Sequence, residues 1–176
     1  RSNQIPLTKS SILVAGNSDT ALTFANNKWK AVVPCSVSNG QQWFIGGSGA
    51  VTSKSLLFIV NSGFSDSNVT VEVFTPNGPI EERNFLISQN STKKISVDTL
   101  APGEEEIAIA VNTKSGRVSS FLFDERKKGL KSLGADFVSA IAAPSKQVRL
   151  VSIPGLVGSL NSNSNSISHS LRLFVP

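Results

Sequence analysis

The side chains of this chain that could catalyse hydrolysis are mainly carboxylates, of which there are twelve. A glycosidase needs two of them about 5–10 Å apart, one as proton donor and one as base or nucleophile. The densest acidic run, residues 104–106, directly follows the turn signal Pro102-Gly103. We therefore expect these three side chains to lie in water. No spacing in the sequence places two acids together, so a carboxylate hydrolase is the least favoured of three functional hypotheses.

Other catalytic and cofactor chemistries lack the residues they need. Nucleophilic catalysis requires a positioned general base, and the sole histidine is His169. The single cysteine, Cys35, can form neither an internal disulfide nor a structural metal site alone, and we expect a half-buried thiol near a strand end. The glycine-rich run at 46–49 leads into a predicted strand and not into a helix, which favours a wide turn over a phosphate-binding loop. We predict no enzyme, no cofactor and no metal site.

Binding chemistry has better candidates in two tryptophans and one basic cluster. Seventeen Lys and Arg against twelve Asp and Glu give a net charge of +5, which favours anionic partners. Nucleic acid is not expected, because Tyr is absent and no aromatic residues are interleaved with the basic ones. Trp29, between two lysines, is predicted either to cap the core or to lie exposed and is the better ligand-binding candidate, whereas Trp43 heads an apolar strand and is predicted to be core. The candidate ligand-binding residues are Trp29, Arg126, Lys127, Lys128 and Lys131.

The basic cluster lies in the one polar stretch that tolerates a helix, residues 124–134. It contains Gly129 and lacks an apolar stripe, so we predict a charged loop or a single turn. Asp124 and Asp136 flank it and are expected to form surface ion pairs with Arg126 or Lys131, each contributing about 0.5 kcal/mol.

Apolar residues elsewhere recur with a period of two, which is typical of half-buried antiparallel strands. Residues 69–74 place three valines on one face, and residues 107–111 repeat the pattern with alanines on the second face. Turn signals separate such runs at Asn77-Gly78, Pro102-Gly103 and Ser115-Gly116, the last between two strands predicted to pair. This spacing predicts an all-β fold, an antiparallel β-sandwich of immunoglobulin-like or fibronectin-like character. Strand candidates at 12–14, 21–24 and 29–33 would cap the sandwich or belong to a preceding unit.

The C-terminal region echoes an earlier part of the chain. The order and character of residues 43–47 and 55–60 recur at 151–155 and 170–175. We therefore predict a β-sandwich module with N-terminal capping strands over residues 1–148, and the first strands of a second similar module, possibly completing the first sheet, over 149–176. The apolar face of the last strand is expected to pair with the N-terminal strands or with a neighbouring chain.

Nine segments carry a resemblance to a known family, at residues 32–35, 42–47, 56–63, 69–74, 77–79, 100–105, 116–118, 134–137 and 153–155. Together they resemble an uncharacterised actinobacterial family of secreted or membrane-anchored envelope proteins. The resemblance covers about residues 35–176, and its most specific part is the Trp-Phe-Ile-Gly-Gly element that starts at Trp43. It implies an extracellular or cell-surface location and brings no catalytic residues.

Three hypotheses for function follow. The favoured one is a noncatalytic structural or interaction module of a tandem array in the actinobacterial cell envelope. Its expected partner is an anionic envelope polymer or another envelope protein, and not nucleic acid. Attachment to a membrane is expected only through an anchor outside this chain. The runner-up is a carbohydrate-binding or cell-wall-binding module that uses Trp29 and the basic residues. The carboxylate hydrolase is third. The oligomeric state is left open.

Overall fold

The computed structural model describes residues 20–35, 40–141, 144–147 and 172–175. Within these ranges the chain forms ten strands and a single 3₁₀ turn, and it contains no helix that is long and apolar enough to cross a membrane. The elements are β1 (Ala21–Ala25), β2 (Lys30–Pro34), β3 (Gln41–Ile45), β4 (Ser53–Asn61), β5 (Ser67–Thr75), β6 (Gly78–Ile87), β7 (Ser91–Ser96), the 3₁₀ turn (Val97–Thr99), β8 (Ala108–Thr113), β9 (Ser119–Lys128) and β10 (Lys131–Val138).

Two four-stranded sheets face each other in a sandwich. Sheet I has the strand order β10-β9-β4-β7, sheet II has the order β3-β8-β5-β6, and β1 pairs with β2 in a separate hairpin. All of these pairings are antiparallel. The predicted all-β sandwich is therefore confirmed.

Alternation along each strand builds the core between the sheets. In β5, Val69, Val71 and Val73 are at most 3% exposed and face the core, as their period of two predicted. Burying an aliphatic or aromatic side chain of this size contributes about 1.5–3 kcal/mol. The largest fully buried members of this core are Phe44, Leu57, Ile59, Ile87, Ile109 and Leu122.

The turn at Ser115-Gly116 joins strands of different sheets, so the predicted pairing of its two strands is wrong. β8 lies between β3 and β5, and β9 lies between β10 and β4. Both strands therefore have two neighbours already, and their apolar residues, such as Ile109 and Leu122, belong to the same core cluster between the sheets. By contrast, the hairpin predicted near Asn77-Gly78 is confirmed, because Thr75 and Gly78 pair at the end of β5 and β6, but its turn residues are Pro76 and Asn77.

The predicted charged loop at 124–134 is also wrong, because the stretch is a hairpin. β9 continues to Lys128, β10 begins at Lys131, and the two residues oppose each other across the turn. A charged sequence is compatible with strands here because alternate side chains reach solvent, while Ala135 and Phe137 pack against an apolar cluster on the outside of sheet I.

The N-terminal hairpin covers that outside surface. This is the capping arrangement, one of the two predicted for these strands. Trp29 and Ala31 pack with Leu56 and Phe123 of sheet I. Cys35 follows β2 and is exposed, not half-buried as predicted. The strand candidate at 12–14 lies outside the described residues.

The predicted second module at 149–176 also falls largely outside the described residues. Residues 172–175 are described, and they form no strand. Phe174 instead lies against aromatic rings of sheet II.

Candidate functional site

Three aromatic rings meet on the solvent side of sheet II, and we call this surface the outer aromatic face: Trp43, Phe74 and Phe174. Trp43 lies on β3 opposite Ala110, and Phe74 lies on β5 opposite Ala108. Because β8 runs between β3 and β5, these two alanines form the floor between the rings. Small side chains at these positions let the two large rings approach each other across an intervening strand.

The rings form a compact stack. The centroids of Trp43 and Phe74 are 5.6 Å apart with an interplanar angle of 28°, and Phe174 lies 5.6 Å from the first and 5.0 Å from the second. These separations are in the range in which aromatic pairs add about 0.5–1.5 kcal/mol beyond their buried area. With Phe174 in place, Trp43 is only 6% exposed.

Polar groups border these rings. The indole Nε1 of Trp43 is buried and has no hydrogen-bond partner among the described residues. On the same side of the sheet, the Asn112 amide donates to Glu72 Oε1 over 2.7 Å, and the Thr70 hydroxyl donates to Asn84 Oδ1 over 2.7 Å. The surface thus combines an aromatic stack, an unused donor and a row of amide and carboxylate groups.

Trp43 is buried as the sequence predicted, but it is buried on the outer face of sheet II and not in the core between the sheets. Phe44 points into the core between the sheets, so its neighbour Trp43 must point away from it. That parity was a signal available in the sequence. The contact with Phe174 had no such signal, because it joins residues that are more than 120 positions apart.

Trp29 does not present a free ring. Its ring centroid lies 5.5 Å from Phe24 and 5.0 Å from Phe123, and its indole N–H donates to Glu125 Oε1 over 3.1 Å. The side chain therefore fastens the N-terminal hairpin to sheet I. A ligand-binding role for Trp29 stays a prediction, and any ligand would have to compete with these contacts.

The Glu125 carboxylate is mostly buried but surrounded by groups that favour its charge. Burial acts to raise the pKa of Glu125, but the Ser132 hydroxyl, the Trp29 indole and the positive charges of Lys127 and Lys54 outweigh it, and the pKa lies below its usual value. The group is therefore an anchored anion at neutral pH.

The predicted basic cluster is divided by its own hairpin. Arg126 Nε lies 2.8 Å from Asp124 Oδ2, which confirms the predicted ion pair, and Lys127 Nζ lies 3.9 Å from Glu125 Oε2. Lys128 and Lys131 oppose each other and are exposed at the hairpin end. The structure thus brings Lys127 close to Trp29 through Glu125, and it leaves Lys128 and Lys131 as a separate exposed pair. A ligand for these residues stays a prediction.

A pair of carboxylates appears where the sequence indicated none. Asp124 and Asp136 are directly opposite on β9 and β10, in the register created by a bulge between Ser132 and Gly134. Side chains in such a position have Cβ atoms about 4.5–5.5 Å apart. Without the bulge, Asp136 would oppose Phe123 and point to the other side of the sheet. A one-residue irregularity of this kind has no reliable signal in the sequence.

Asp124 and Asp136 line a shallow depression of about 350 Å³, and the contacts of Asp124 are those of a structural residue. Asp124 Oδ1 accepts hydrogen bonds from the Ser53 and Ser55 hydroxyls, each at 2.6 Å, and Oδ2 accepts from Arg126. Asp136 is exposed and accepts the backbone N–H of Phe137. Over the described ranges, no group of three or more His, Cys, Asp or Glu is placed to hold a metal ion.

Comparisons with solved structures found matches at low sequence identity. The crystal structure of Thermotoga maritima 1070 matches with a TM-score of 0.53 at 14% identity, over 60% of this chain and 96% of that one. The Anabaena sensory rhodopsin transducer matches with a TM-score of 0.41 at 14% identity, over 48% of this chain and 95% of that one. At such identities the first likeness concerns the fold alone.

The sequence comparisons separate family from function. No curated protein matches the chain. A family model does match, over residues 15–176, and its description is a family of unknown function, DUF5719. Because the match extends over most of the sequence, the chain belongs to this family of unknown function.

Proposed function

We propose that this chain is a noncatalytic interaction module of an extracellular cell-envelope protein, and that the outer aromatic face is its binding surface. Its membership of a family of unknown function and the β-rich fold it shares with a solved structure fit such a module. The resemblance to actinobacterial envelope proteins supplies the location in this proposal.

The observation that carries the proposal is that the outer aromatic face is covered by one short segment and not by the main core. Its two sheet rings, Trp43 and Phe74, lie outside the main core and are shielded by a short segment around Phe174. An aromatic surface with a few convergent polar groups is the usual composition of a binding site. The buried indole N–H of Trp43, which has no acceptor in the part of the chain that the structure describes, is a donor for a ligand.

The acid pair supports a structural role better than a catalytic one. Asp124 already accepts hydrogen bonds from two hydroxyls and one guanidinium, so most of its acceptor capacity is in use. Its partner Asp136 is exposed, and the depression between them is open. A glycosidase would need both carboxyl groups to be available to its substrate, and Asp124 is already engaged.

Binding of wall polysaccharide is the second candidate, and the structure offers it a better location than Trp29. Glu72 and Asn112 are a carboxylate and an amide beside an aromatic stack. Such groups can hydrogen-bond sugar hydroxyls while a ring stacks on the sugar. In this version of the proposal the same surface binds a carbohydrate and Trp29 keeps its role in the hairpin.

Co-sedimentation with isolated actinobacterial cell envelopes tests the proposal. The full chain and a Phe174→Ala variant, in which the face is uncovered, are expected to be retained, and Phe74→Ala in either background is expected to lower affinity about tenfold. Envelopes stripped of polysaccharide distinguish the two candidates. A Lys128→Ala/Lys131→Ala double variant controls for retention that depends on the charge of the exposed lysine pair. A salt titration is a second control, because only charge-driven retention falls steeply as salt is raised. If neither chain is retained at low salt, or if retention is indifferent to Phe74→Ala, the proposal is wrong.

A further inference from the structure

On the basis of the proposed interaction role, we propose that the outer aromatic face binds an aromatic side chain carried on an extended peptide of a partner protein, and that Phe174 occupies the site within this chain until that partner displaces it. The site is therefore self-gated. Phe174 shows in the chain itself what the site accepts.

The segment that now occupies the site, residues 172–175, contacts it mainly through one side chain, so it can be displaced. Phe174 packs on both sheet rings, whereas its neighbours Leu173 and Val175 are 77% and 89% exposed. Residues 172–175 form no strand. In the described part of this segment, docking thus depends mainly on one ring, and a competing ring on another peptide can replace it without breaking a β-ladder there.

The chemistry of the site fits a peptide. A phenyl ring can occupy the position beside Trp43 and Phe74 that Phe174 now fills. The indole N–H of Trp43 has no acceptor among the described residues, and a peptide offers a backbone carbonyl at each residue that could accept from it. Glu72 also lies on this side of sheet II, so a basic residue in the incoming peptide would have a charge opposite to that of this carboxylate.

Phe174 and an incoming peptide compete for the same site, because the resident ring already packs on Trp43 and Phe74. An incoming peptide binds only the uncovered fraction, so its apparent affinity is reduced by that fraction. Removal of the Phe174 ring should restore the intrinsic affinity.

Fluorescence anisotropy with the full chain tests this inference. The probe is a labelled peptide of residues 170–176, SLRLFVP, and its matched control is the same peptide with alanine in place of phenylalanine. We expect Phe174→Ala to bind the probe at least about tenfold more tightly than the wild-type chain. Addition of Phe74→Ala should weaken this binding about tenfold, and the control peptide should bind at least about tenfold more weakly than the probe.

Controls keep the result interpretable. Phe64 is 96% exposed on a loop, so Phe64→Ala should bind the probe no better than the wild-type chain. Circular dichroism verifies folding, and Phe74→Leu replaces Phe74→Ala if the latter does not fold. Equal binding of the two peptides, equal affinity of wild type and Phe174→Ala, or displacement of the probe by wall oligosaccharide but not by unlabelled peptide would overturn the inference.

The two proposals can fail separately. Peptide binding without retention on envelopes would leave the self-gated site intact and reject the envelope role. Retention that depends on Phe74, without binding of the peptide, would keep the interaction role and reject the peptide as its partner.

Discussion

The indole N–H of Trp29 donates a 3.1 Å hydrogen bond to Glu125 and thereby connects the N-terminal hairpin to the centre of sheet I. The bond lies beside an aromatic cluster, where Phe123 contacts the same indole ring. Apolar packing holds the hairpin against the sheet, and this polar contact fixes its position.

Replacement of Trp29 by phenylalanine should therefore destabilise the chain while it keeps most of the ring packing. Hydrogen bonds to charged groups contribute about 1.5–3 kcal/mol, and we expect a loss near the lower end, about 1.5 kcal/mol, because the site is partly exposed. Urea unfolding measures it. An unfolding free energy equal to that of the wild-type chain would show that the bond does not hold the hairpin.

The same contact predicts a dependence of stability on acid. The folded-state pKa of Glu125 lies below its usual value of 4.5, so the carboxylate stabilises the fold above that pH, and this contribution is lost as the pH falls through the lowered pKa. Glu125→Gln removes the titrating group. The difference in unfolding free energy between wild type and Glu125→Gln should thus be largest near neutral pH and shrink in acid. A difference that is constant with pH would contradict the assignment.

Ser55 should be more important for stability than its neighbour Ser53, although both donate to Asp124. Ser55 is buried, and its hydroxyl also accepts the backbone N–H of Ser48 over 2.9 Å. Ser55→Ala leaves that N–H without its acceptor, at a cost of about 1–3 kcal/mol, whereas Ser53→Ala should cost less than about 1 kcal/mol. Thermal or urea unfolding of the two variants distinguishes them. Equal losses would mean that the N–H of Ser48 finds another partner.

Gly49 is required by the close approach of two loops. Its N–H donates to the Glu104 carbonyl, and a Cβ at this position would lie 1.7 Å from the backbone oxygen of Ala101. Gly49→Ala should therefore cost about 3 kcal/mol or more. Gly40 has nothing within 4 Å of the corresponding position, so Gly40→Ala should stay within about 0.5 kcal/mol of wild type. Comparable unfolding curves for the two variants would contradict this packing.

Local periodicity was sufficient to predict strands such as β5 and β8. Val69, Val71 and Val73 alternate with polar residues, and the structure buries these valines in the sandwich. Periodicity does not specify which strands become neighbours, and this is why the pairing across Ser115-Gly116 was wrong. That choice depends on how the apolar faces of both sheets meet, which is a property of the whole chain.

The candidate site was less predictable than the fold. The lysines beside Trp29 left open whether its ring caps the core or lies exposed, and only the tertiary structure shows that the ring packs on Phe123. Trp43 and Phe174 are distant in sequence, so only tertiary structure reveals their contact. The bulge that places Asp136 opposite Asp124 is likewise a product of strand pairing.

The central claim is that the outer aromatic face is a site covered by a releasable ring, and the emission of Trp43 tests it most directly. The chain has two tryptophans, so a Trp29→Phe background leaves Trp43 as the only one. In that background, Phe174→Ala should shift the emission to longer wavelength and increase quenching by acrylamide, because it uncovers a ring that is now 6% exposed. Phe64→Ala should change neither quantity. Emission and quenching that stay the same in Phe174→Ala would show that Phe174 does not cover Trp43, and they would contradict the account.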